Sequence, residues 1–124
     1  MRVLVIMDPI ERVNLKKDST MAMLWAAARR GHTLGYALQD DLFIDQGQAY
    51  GQIKPLAVFE NSKDYYRLGE AQTERLASYD VILMRKDPPF DMEYIYATYL
   101  LELAEQQGAR VFNKPAAIRN HNES

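Results

Sequence analysis

Apolar residues in this chain fall into short dense runs that alternate with helical stripes. Residues 2–7 (Arg2, Val3, Leu4, Val5, Ile6, Met7) are β-branched and apolar, the pattern of a strand buried on both faces. Asp8 and Pro9 end that run, and a polar loop over residues 10–17 follows. From Asp18 or Ser19 to about Arg30, Met21, Leu24, Trp25 and Ala28 recur at helical spacing. Arg29 and Arg30 suit the negative end of that helix, and Gly31 suits its exit. Residues 33–38 then read as a second strand, parallel to the first through a right-handed crossover.

The middle is less regular. Over residues 42–59 the apolar patches predict short, partly antiparallel strands at a sheet edge, with a hairpin turn at Asp45, Gln46 and Gly47. Residues 61–69 are mostly polar, with Tyr65 and Tyr66 among them, and read as a helical turn or a loop. Residues 72–77 read as a short helix.

Regularity returns at residues 81–84 (Val81, Ile82, Leu83, Met84), a wholly apolar strand. The charged trio Arg85, Lys86 and Asp87 and two prolines close it, and Asp91 stands as the cap of a helix over residues 92–107. Residues 110–113 predict a last strand, and residues 116–120 the start of a helix that has no body. The pattern is β-α-β, a β-rich excursion, then β-α-β-α. It predicts an α/β fold with an open, mainly parallel sheet of about five strands, flanked by helices. The unfinished last helix reads as a domain cut at a boundary.

Composition narrows the classes. With 124 residues the chain has room for one domain with a real core. A net charge of -2 gives no general grip on nucleic acid. Having no cysteine, the chain offers no disulfide, thiol nucleophile or Cys metal site, and fits a reducing cytoplasm. No apolar run approaches the roughly 20 residues of a membrane span, and Met1 leads straight into a strand without a signal-peptide layout.

The candidate chemistry lies where strands end, because open α/β sheets bind ligands at the carboxyl edge. The first loop has no glycine, so the dinucleotide fingerprint fails, and there is no Gly-Lys-Ser/Thr phosphate loop. What remains is Asn14, Lys16, Lys17, Asp18 and Ser19 beside a helix N-terminus, either a carboxylate site or a solvated loop with an ordinary cap. Arg85 ends a buried strand, and its planar fork suits a carboxylate. It divides evenly between that role and pairing with a local acid such as Asp87 or Asp8. Asp40 and Asp41 read as a turn and cap pair. His32 and His121 have no partner at metal-ligand spacing, and no catalytic triad order is present. The tyrosines over residues 94–99 read as core or interface.

Three segments carry a resemblance. They are the run Met84-Arg85-Lys86-Asp87-Pro88-Pro89-Phe90-Asp91 within residues 80–99, Val5 to Ile10 with Lys16 to Ser19, and Asn113 to Pro115 with residues 118–123. In order and spacing they resemble the N-terminal domain of bacterial glutathione synthetase, while residues 42–72 match only loosely. The resemblance implies an ATP-grasp ligase that phosphorylates the C-terminal carboxylate of γ-glutamylcysteine. Glycine then attacks the acyl phosphate, releasing ADP and phosphate. It implies that residues 1–124 form a Rossmann-like pre-ATP-grasp domain, with ATP and Mg²⁺ held by later domains that this sequence lacks. It further implies a cytoplasmic, oligomeric enzyme, with no bound cofactor and no activity expected of this part alone.

Carried over by position, Arg85, Asn14, Lys17, Asp18 and Ser19 are implied to contact the peptide, with Asp8 and Asp87 orienting them. No catalytic residue or metal ligand is carried over. Glu11 and Arg12 depart from the small, apolar loop of the family. The competing assignment is a non-catalytic α/β module for binding or oligomerisation.

Overall fold

The computed structural model describes residues 1–15, 19–86 and 91–113. Its first strand, β1 (Arg2–Met7), is paired in parallel with β2 (Thr33–Ala37) on one side and β7 (Val81–Arg85) on the other. β8 (Arg110–Asn113) extends the sheet in parallel beyond β7. On the opposite flank, β4 (Gln48–Val58) lies antiparallel to β2. It also pairs antiparallel with β3 (Leu42–Asp45), β5 (Tyr66–Leu68) and β6 (Gln72–Arg75). The main path runs β3-β4-β2-β1-β7-β8.

Both faces of the parallel part are covered, which is why its strands read as unbroken apolar runs. Val3, Val5 and Met7 face helix α1 (Ser19–Arg29) through Met21 and Leu24. Leu4 and Ile6, with Ile82 and Met84, face helix α2 (Met92–Gln106) through Tyr94, Ala97, Leu100 and Leu101. Asp91 caps α2 as expected, its carboxylate accepting from the Tyr94 N–H at 3.0 Å. Asp41 likewise accepts from the Leu38 N–H at 2.8 Å.

The expected mainly parallel sheet is corrected to a mixed one. Four of the strands come from residues 42–75, and their short connections allow only antiparallel neighbours. The patches at residues 48–58 are not several edge strands but one strand of 11 residues that forms the hub of this flank. The hairpin turn does fall at Gln46 and Gly47, with φ of 50° and 77°. Such a two-residue turn with both φ positive matches the strand twist. Residues 72–75 are β6 rather than a helix, followed by a 3₁₀ turn at Leu76–Ser78. The expected helix start at 116–120 lies outside the described residues.

One polar knot ties the flank to the core. Tyr79 donates to Glu74 at 2.7 Å, Glu74 pairs with Arg2 at 2.8 Å, and the Arg2 guanidinium lies 4.3 Å from the Tyr79 ring centre. Burial first, then the Glu74 carboxylate, pushes the Tyr79 phenol well above its usual range.

Candidate functional site

The carboxyl ends of β1 and β7 lie side by side, with Met7 opposite Arg85. Arg85 reaches from this edge to the first turn of α1. Its Nε donates to Thr20 Oγ1 at 3.1 Å and its Nη2 to Ser19 Oγ at 2.8 Å. Thr20 is buried and Ser19 exposed, so one contact fixes the guanidinium and the other leads to the surface. Both partners are neutral. Among the described residues no carboxylate pairs with Arg85, and its charge remains available beside the positive end of a helix.

The next residue behaves differently. Lys86 Nζ lies 2.9 Å from Asp8 Oδ1. Asp8, one of the two acids that the sequence offered to Arg85, is therefore paired with Lys86. Of the other sequence candidates, Asn14 lies exposed on the loop leading to α1. Lys17, Asp18 and Asp87 lie outside the described residues.

The first loop is anchored by two groups that sequence reasoning passed over. Ile10 is fully buried, its N–H donating to Tyr36 Oη at 3.1 Å and its carbonyl accepting from Tyr65 Oη at 2.7 Å. Burial is the main cause that raises both phenols above their usual range, and the Glu11 carboxylate adds to each. The signal was a tyrosine in an otherwise polar stretch at Tyr65, and one in an apolar strand at Tyr36. Thr20 was likewise hidden, because nothing marks a helical threonine as the acceptor for a distant arginine.

Beside the loop, over the end of β2 and β4, lies a cleft of about 190 Å³. Tyr36, Gln52 and Lys54 line it from the strands, and Glu11 and Asp41 from the loops. The described residues hold no group of three or more His, Cys, Asp or Glu side chains placed to bind a metal ion.

Fold and site together define an α/β domain that presents, at the carboxyl edge of its sheet, an arginine paired with no carboxylate among the described residues. Comparison sets the family. Residues 1–119 match the model of the prokaryotic glutathione synthetase N-terminal domain, and the chain belongs to that family. It is 51% identical over 119 residues to a glutathione synthetase of Shewanella oneidensis and to one of Pseudomonas putida, and 52% identical over 128 residues to one of Bordetella pertussis. These alignments cover 96%, 96% and 99% of this chain. The chain spans 38–40% of the length of these curated relatives.

Proposed function

We propose that this chain is the peptide-side, pre-ATP-grasp domain of an ATP-dependent glutathione synthetase. The whole enzyme joins γ-glutamylcysteine to glycine and releases ADP and phosphate. The observation that carries this reading is the pairing of family membership with the state of Arg85, rigidly held yet not neutralised by an acid among the described residues. An arginine fork held by two hydroxyls is preorganised for a carboxylate or amide of the peptide.

Around Arg85, Ser19 contributes a hydroxyl at the surface, and Asn14, Lys17 and Asp18 are assigned to peptide contact by their match to the family. Asp8 positions Lys86 at its edge, and Asp87 is assigned a supporting role by its match to the family. ATP and Mg²⁺ supply the activating phosphoryl group in the whole enzyme, and they belong with its later, ATP-grasp domains. The part played by this chain is to hold the peptide still and exclude water from one side. It needs no redox group and no membrane, and it works in the cytoplasm.

A second reading has its own observation. Met92, Ile95, Tyr96 and Tyr99 leave a broad apolar face of α2 exposed. That face suits a contact with another copy of the enzyme or with a later domain.

The test is an assay of the full-length enzyme and of residues 1–124 alone, each with ATP, Mg²⁺, γ-glutamylcysteine and glycine. The full-length enzyme should form glutathione with matching release of ADP, and residues 1–124 alone should not. Turnover by residues 1–124 would overturn the division of labour. No turnover by the full-length enzyme would overturn the ligase assignment.

A further inference from the structure

We infer that the cleft beside the first loop is the site for the free amino-acid end of the peptide, with Lys54 binding its α-carboxylate and Glu11 its α-ammonium. The inference rests on the peptide-side reading above and adds a second anchoring point to it.

The cleft carries both signs of charge. Lys54 projects from β4 opposite Tyr36 of β2, and Glu11 projects from the short turn at Ile10–Arg12. Neither forms an ion pair among the described residues. Asp41 is already engaged by the Leu38 N–H, which leaves Glu11 as the acid with no such engagement. Tyr36 Oη accepts from the Ile10 N–H, a bond that leaves its own proton uncommitted. Pockets for drug-sized ligands typically run to about 300–1,000 Å³, and about 190 Å³ suits one small headgroup.

A γ-linked glutamyl group has the matching chemistry. Its linkage through the side chain leaves an ammonium and a carboxylate on a single carbon. A site that selects it needs opposite charges within one small cleft.

Position agrees. Val5, Leu83, Tyr36 and Leu56 share one face of the sheet in a single buried cluster. With side chains alternating along each strand, Arg85 and Lys54 belong to that same face. Their strands are three places apart in the sheet, roughly 14 Å at the usual strand spacing. Two long side chains and an extended dipeptide bridge that span.

Full-length enzyme carrying Lys54→Met or Glu11→Gln tests the inference with three acceptors. These are γ-glutamylcysteine, glutaryl-cysteine without the ammonium, and 4-aminobutanoyl-cysteine without the carboxylate. Lys54→Met should raise KM for γ-glutamylcysteine roughly tenfold and leave KM for 4-aminobutanoyl-cysteine unchanged. Glu11→Gln should raise KM for γ-glutamylcysteine and leave that for glutaryl-cysteine unchanged. Because the readout is KM, a folding defect would show as a lower apparent kcat on all three substrates and leave the KM pattern intact. Equal effects on all three substrates, or no effect, would overturn the inference while the ligase assignment stood. Failure of the parent enzyme to use γ-glutamylcysteine would remove both.

Discussion

Gly35 shows how little freedom single positions have in this core. A Cβ there would sit 2.5 Å from Tyr79 Oη, 2.9 Å from Tyr79 Cζ and 3.0 Å from Ile53 Cγ2. Tyr79 cannot swing away freely, because its hydroxyl is bonded to Glu74 and its ring lies under Arg2. Gly35→Ala should therefore cost about 1–3 kcal/mol, the range for overpacking. In a Tyr79→Phe background the cost should be smaller, since the closest atom is gone. Urea melts of the four variants in that cycle check this, and strict additivity would contradict it. Arg85 is the opposite case. Its partners are two neutral hydroxyls, so the residue is placed by the fold without being neutralised by an acid among the described residues. Lys86, one position on, is paired with Asp8. The sequence singled out Arg85 by its planar fork at a strand end, and the alternation of faces there sends Lys86 to a different partner.

At the scale of elements, the parallel strands and both helices were legible and the flank was not. β1 and β7 are apolar throughout because helices cover both faces, and that pattern has few other readings. The 11-residue β4 contains Gly51 and Pro55, residue types that weaken the signal of a continuous strand. Pro55 is tolerated because its carbonyl still accepts from the Gly69 N–H at 2.8 Å, while it has no N–H to leave unpaired. β6 has no apolar residue at all, and its strand identity comes from pairing with β4, including Gln52 donating to Thr73 at 2.8 Å. Periodicity cannot announce such a strand. The site followed the same division: Arg85 and Ser19 were legible at element ends, whereas Tyr36 and Tyr65 act across long separations.

An element-scale consequence concerns the start of α2. Glu93 shares a hydrogen bond with Asp40, and that bond, then the Asp40 and Asp91 charges, raises the Glu93 carboxyl above its usual value. A raised acid binds its proton more tightly in the folded state. Its stabilisation is complete below the ordinary carboxylate value and is lost as pH rises through the raised one. Stability followed from about pH 4 to about pH 7 should show a falling component that Glu93→Gln removes. An identical pH profile for wild type and variant would contradict the shared proton.

Across the whole molecule, the sheet divides the labour. The parallel half carries Arg85 at its carboxyl edge, and the antiparallel half supplies Tyr65 and β4 to hold the first loop and floor the cleft. The mixed topology thus places the cleft beside the loop that leads to the helix bearing the Arg85 contacts. No helix among the described residues is long and apolar enough to cross a membrane. In the proposed assignment the fold delivers Arg85 to the peptide and not to the nucleotide. Steady-state kinetics of Arg85→Ala in the full-length enzyme test it most directly. KM for γ-glutamylcysteine should rise by the worth of a charged hydrogen bond, about 1.5–3 kcal/mol, with KM for ATP nearly constant. Unchanged peptide kinetics, or a rise confined to ATP, would contradict the account.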